Sequence, residues 1–190
     1  KDYAVVVEGY FDVMALHDSG ITNVVASLGT ALSSNQITLL SRSTDSKKIL
    51  LNFDSDNAGI RAANRAISEV ENLAIQGQLD LRVLQLPSGK DPDEFLKDNS
   101  PSEYEALAAK SPLWMDWQID QSLKDLDLNK SDQFQEAVST LVTLLGKLPQ
   151  TAIRTHYLQK VAQRLSGGQG RFALQLEEDL RNQISGQRWH

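Results

Sequence analysis

Four short segments in the first half of this chain are apolar on successive residues instead of on alternate ones. They are residues 3–7 (YAVVV), 23–27 (NVVAS), 48–53 (KILLNF) and 81–86 (LRVLQL). A strand that shows one face to water alternates apolar with polar side chains; a strand covered on both faces has no polar side to keep. Each segment is separated from the next by residues of helical pattern. Residues 10–19 form a helix closed by Gly20, and Ser33 with Gln36 makes a capping box that opens a helix running to residue 43. Ile60, Ala63, Ile67, Val70 and Ala74 recur at i, i+3, i+4 spacing. Strand and helix in alternation, with strands of this kind, predict an α/β layer: a Rossmann-like parallel sheet with helices on both faces.

After Pro87 the pattern changes. Pro92, Pro101, Pro112 and Pro149 punctuate segments of helical periodicity with no strand among them, such as Phe134, Ala137, Val138, Leu141, Leu145 and Leu148. The expectation is an α/β domain over residues 1–105 followed by an all-helical subdomain over 106–190, the change falling near residues 100–112. Residues 166–170 read as a flexible turn before a last helix.

Composition narrows the chemistry. The 190 residues are 41% apolar and 23% charged, enough for a substantial core, and no apolar run is long enough to span a bilayer. There is no basic-then-apolar leader, and the first and last residues, Lys-Asp-Tyr and Arg-Trp-His, read as the ends of a piece of a longer protein. With no cysteine and only His17, His156 and His190, thiolate sites are excluded and zinc is poorly supplied, so a metal would be held by oxygen. The net charge of -6 argues against a strongly basic surface, although Lys47-Lys48 and residues 181–188 are local basic clusters.

In parallel sheets ligands bind beyond the carboxyl ends of the strands. Glu8 ends the first strand with Asp12 one turn later, Asp54 and Asp56 end the third, and Asp91 and Asp93 follow the fourth. Like charges gathered in a partly buried cleft raise one another's pKa and persist as anions only with cations among them. The economical cation is Mg²⁺, which takes one or two carboxylates and fills its remaining positions with water and phosphate oxygens. Such a site suits phosphoryl chemistry. Each pair also has a structural reading: Asp54 and Asp56 as a turn and N-cap, Asp91 and Asp93 as turn and first-turn acids beside Pro92. Glu8, finishing a buried strand, must be solvated or paired. As a calcium loop "DSDNAG" fails, because Arg65 stands where a bidentate Glu is required. As a D-x-D phosphatase, Asp54 would be the nucleophile and Asp56 the acid, but the motif follows the third strand and Ala58 replaces the expected Thr or Val.

Taken together, "VVVEGYFDVMAL", "VVASLGTALS", "ILLNFDSDNAGIRAANRA" and "GKDPDEFL" resemble the TOPRIM domain of bacterial-type DNA primases over roughly residues 3–98. The resemblance implies a cytoplasmic bacterial nucleotidyltransferase that makes RNA primers from NTPs on a single-stranded DNA template. It implies an acidic Mg²⁺ centre, with Mn²⁺ as substitute, built from Glu8, Asp12, Asp54, Asp56, Asp91 and Asp93. Asp54, Asp56 and Asp91 would be the principal ligands, Asp12 and Asp93 would support them, and Glu8 would be a general acid or base or a ligand. The family's zinc module and basic lobe have no counterpart in this sequence, so the chain alone is not expected to be competent, and its contact with the replicative helicase is expected beyond residue 190.

Other stretches have weaker claims. Lys90 reads as a phosphate contact or a solvated lysine. Trp114 and Trp117 read as stacking platforms or packing residues, the latter favoured by Leu113 and Met115. "SGGQGRF" lacks the Lys-Ser/Thr of a phosphate loop. His17 lies away from the strand ends. Topoisomerase-type cleavage would need a tyrosine nucleophile, and none of Tyr3, Tyr10, Tyr104 or Tyr157 has that setting; a replication-protein or nucleic-acid binding module with a degenerate metal site is the non-enzymatic alternative.

Overall fold

A computed structural model describes residues 1–29 and 32–187. The chain divides into two compact units, Lys1–Trp117 and Gln118–His190.

The first unit is built on β1 (Ala4–Val7), β2 (Val24–Ala26), β3 (Lys48–Leu51) and β4 (Asp80–Val83), all parallel in the order β2-β1-β3-β4. Its helices are α1 (Tyr10–Asp18), α2 (Ser34–Ser41), α3 (Asn57–Ile75), α4 (Pro92–Asp98) and α5 (Pro101–Lys110). Parallel connections are right-handed, so the step from β1 out to β2 puts α1 on one face, while the steps towards β3 and β4 put α2 and α3 on the other. Strand alternation then sorts the core. Val5, Val7 and Leu50 pack with Leu16, Phe95, Tyr104 and Ala108 of α1, α4 and α5. Val6, Ile49 and Leu51 alternate with them and are equally buried, as are Ile37 of α2 and Ala63, Ile67 and Val70 of α3. Both faces are covered, which is why β1 tolerates no polar residue. The helix pattern read from Ile60 to Ala74 is real, with its two end positions only half-buried.

Ser33 does form the capping box with Gln36. Thr30 of the "SLGT" segment and Ala31 lie outside the described residues, as does Arg188 of the basic cluster.

The change of unit falls after Trp117, later than residue 105. Three ties hold the intervening segment to the sheet: Tyr104 is fully buried in the core, Leu113 bridges Arg82 in antiparallel fashion, and Val83 N–H donates to the Pro112 carbonyl at 3.1 Å. None of these long-range contacts leaves a periodicity in the sequence. A helix α6 (Trp114–Leu123) follows.

The second unit holds α7 (Ser131–Gly146), α8 (Ala152–Leu165) and α9 (Gly170–Gln187). Their buried stripes are Ala137, Val138, Leu141, Val142 and Leu145 on α7, Leu158, Val161 and Ala162 on α8, and Leu176, Leu180 and Ile184 on α9. Gly167 and Gly168, at φ 61° and 83°, end α8 in the left-handed conformation that only glycine adopts without cost.

Candidate active site

The strand order reverses between β1 and β3: the chain leaves β1 for β2 on one side and later returns to β3 on the other. Helices connecting to opposite faces diverge there, and the cleft they leave lies at the carboxyl ends of these two strands. Glu8 and Asp54 are the residues the chain delivers to it. The Asp54 backbone N–H donates to Glu8 Oε1 at 3.0 Å, a direct link across the reversal.

The other acids arrive on helix starts. Asp56 is the N-cap of α3, with Oδ1 accepting from Gly59 N–H at 2.7 Å. Asp91 is the N-cap of α4, with Oδ1 accepting from Glu94 N–H at 2.7 Å, and Pro92 follows at the first helical position, where its missing N–H costs nothing. Asp12, in the first turn of α1, is buried, and its carboxylate accepts from Gly9 N–H at 3.2 Å. Asp93 pairs with Lys97 at 2.8 Å. The N-cap reading is therefore correct for Asp56, while Asp91, read as a turn acid, is the N-cap of α4.

Electrostatics shows how closely they gather. Asp54 is pushed up to about 6, first by burial and then by the negative charges of Glu8, Asp12, Asp91 and Asp56. Asp12 is raised as well, by burial and, less strongly, by Asp91 and Asp93. Still, among the described residues no group of three or more His, Asp or Glu side chains is gathered tightly enough to hold an ion as it stands. Asp12, Asp56, Asp91 and Asp93 each accept from a donor of the protein itself: Gly9 N–H, Gly59 N–H, Glu94 N–H and Lys97. A cavity of about 180 Å³ adjoins Glu8, lined in part by Ser27, Phe53, Ala58 and Arg65.

Sequence reasoning missed two structural supports of this site. A Cβ on Gly59 would lie 2.0 Å from the Asp54 carbonyl oxygen, so only glycine lets the first turn of α3 close over Asp54. A glycine inside a helix costs about 1 kcal/mol relative to alanine, and that cost was the available signal. The second support is Asn52, buried at the end of β3: its Oδ1 accepts from the Tyr104 hydroxyl at 2.8 Å and its Nδ2 donates to the Leu84 carbonyl at 3.2 Å. The signal was a lone amide within "LLNF". Gly9, by contrast, has φ -121° and needs no glycine for its conformation.

The weaker candidates resolve plainly. Lys90 is engaged by Asp98 at 2.5 Å, and His17 Nε2 lies 3.4 Å from the Val24 carbonyl. Trp114 and Trp117 are buried, so neither offers a face to a base. Burial holds the Tyr104 hydroxyl well above its usual range, the opposite of what a nucleophile needs.

A Toprim-like family model matches residues 5–96, and a second model, described as the DnaB-helicase binding domain of primase, matches residues 115–170. The DNA primase of Synechococcus elongatus is 62% identical over 190 residues, covering all of this chain and 27% of the relative. The chain belongs to the DNA primase family. A DNA primase domain from Pseudomonas aeruginosa superposes with a TM-score of 0.69 at 32% identity, covering 94% of this chain and 55% of that one. A DnaG primase catalytic domain bound to single-stranded DNA superposes with a TM-score of 0.67 at 29% identity, over 88% of this chain and 52% of that one. The chain thus spans about a quarter of the length of the curated relative and about half of the solved catalytic chains. The helicase-binding description falls on 115–170, inside the chain, where the sequence reading looked beyond residue 190.

Proposed function

We propose that this chain carries the cation-binding part of a primase catalytic centre, a nucleotidyltransferase that builds RNA primers from NTPs on single-stranded DNA. The observation that carries the reading is the switch-point pair: Glu8 bonded to the Asp54 backbone, with Asp54 raised to about 6 by burial first and then by four neighbouring acids. So much negative charge at the mouth of a parallel sheet is stable only with cations.

The donor set fits a hard divalent ion. Mg²⁺ is held by carboxylates together with substrate phosphates and water, not through an all-protein cage. Asp54, Asp56 and Asp91 would hold the ion, using oxygens outside the cap bonds, with Asp12 and Asp93 in support and Mn²⁺ as a substitute. When bound, the ion neutralises phosphate charge and lowers the pKa of the attacking 3′-hydroxyl. Glu8 has Oε1 fixed by the Asp54 N–H and keeps Oε2 for that hydroxyl's proton or for the ion. The Asp56 and Asp91 caps orient their carboxylates before substrate arrives, so little ordering remains to be done at the moment of reaction.

The α/β part carries this centre, and the helical part, through residues 115–170, is where a replicative helicase would dock. The likeness to a primase domain bound to single-stranded DNA supports DNA as the template partner, and bacterial primases as relatives support action in the cytoplasm. The test is primer synthesis by the complete protein on a single-stranded template. Asp54→Asn is expected to abolish incorporation while Lys124→Ala retains it; undiminished synthesis by Asp54→Asn would overturn the assignment.

A further inference from the structure

We infer that Asn52 and Tyr104 are positioning residues for the cation centre, an inference that rests on the reading of the strand-end acids given above. At the carboxyl end of a parallel sheet the ladder stops, and the last backbone groups need partners from elsewhere. Asn52 supplies them. Its N–H extends the ladder to the Val6 carbonyl at 2.8 Å, and its side chain reaches across to the Leu84 carbonyl just past β4. The remaining acceptor of the amide takes the Tyr104 hydroxyl from α5. Two residues before Asp54, the Asn52 backbone thus ties β3 to β1, and its buried side-chain amide ties the same point to the exit of β4 and to α5.

Tyr104 extends the same support to the other acids. Its ring meets Phe95 of α4 edge-on, with centroids 6.3 Å apart, and Phe95 N–H bonds back to the carbonyl of Asp91, the N-cap of that helix. The phenol is therefore bonded to the strand end that presents Asp54 and packed on the helix that presents Asp91. Neither residue touches the cleft. Both determine how far apart these carboxylates lie, and groups that orient ligands in this way commonly change metal affinity by ten- to a hundredfold when altered.

The test is Mn²⁺ titration by calorimetry, well below the melting temperature, on the chain and on two variants. Tyr104→Phe keeps the ring and its contact with Phe95 and removes only the hydroxyl. Ile67→Val loosens the core on the other face of the sheet by a comparable small step. The expected result is Mn²⁺ binding weakened about tenfold in Tyr104→Phe and unchanged in Ile67→Val. Equal affinity in all three, or equal weakening in both variants, would overturn the positioning role and leave the acid centre standing. Failure of the unaltered chain to bind Mn²⁺ would overturn the centre and this inference with it. If Tyr104→Phe does not fold, Asn52→Ser enters the same comparison with the same expected and overturning results.

Discussion

Gly59→Ala sets two physical effects of opposite sign against each other. By helix propensity alone the change stabilises, by about 1 kcal/mol at an interior position. By sterics it does the reverse, because the new Cβ would meet the Asp54 carbonyl oxygen at 2.0 Å, its carbon at 2.7 Å and its nitrogen at 2.8 Å, where real contacts stay beyond 3.0 Å. The obstacle is backbone, which cannot swing aside as a side chain would. The start of α3 must back away by about 1 Å, stretching the 2.7 Å bond from Gly59 N–H to Asp56 and disturbing the Asp54–Glu8 link. Overpacking of this kind costs about 1–3 kcal/mol and a lost N-cap about 1 more, so after the propensity gain the net loss is about 2 kcal/mol. For a chain of this size that corresponds to a melting temperature lower by roughly 4–8 °C. Differential scanning calorimetry on the metal-free chain reads it directly. An unchanged or raised melting temperature would refute the claim that α3 closes on the Asp54 backbone.

Further outcomes follow from the same geometry. Tyr104→Phe leaves a buried acceptor on Asn52 without its donor and should lower stability in urea by about 1–3 kcal/mol; no loss would mean that the hydroxyl bond is not formed. Asp54→Asn should stabilise the metal-free chain at pH 7. An aspartate whose folded pKa of about 6 exceeds its unfolded value binds more protons folded than unfolded between about 4 and 6, so the fold loses stability as pH rises through that window. Asp54 is only partly buried, and screening reduces the effect to about 1 kcal/mol; the gain should vanish near pH 4, and a pH-independent difference would sink the explanation. Asp91→Ala should lose about 1 kcal/mol with the cap of α4, whereas Asp91→Asn should keep the cap and lose only Mn²⁺ affinity.

Most of the α/β layer was legible because burial on both faces leaves a mark in one dimension: strands such as "AVVV" have no polar side, and the α3 stripe keeps its period. The acids at three strand ends were legible for the same topological reason. What the residues alone did not disclose was contact at a distance. Tyr104 lies 52 positions from Asn52, and Pro112 lies 29 from Val83, so nothing local marks α5 as part of the first unit. The structural alternatives for the acids were legible only in part: Asp56 was read as a cap or a site residue and does cap α3, whereas Asp91 was read as a turn acid or a site residue and caps α4.

The most direct test of the central claim is Mn²⁺ titration into the chain and into Asp54→Asn/Asp56→Asn. Asparagine keeps the N-cap of α3 while removing both charges, so the fold is preserved and only the attraction for the ion is lost. The account predicts saturable binding to the unaltered chain and none to the double variant. Equal binding by both, or none by either, would contradict a cation centre at the ends of β1, β3 and β4.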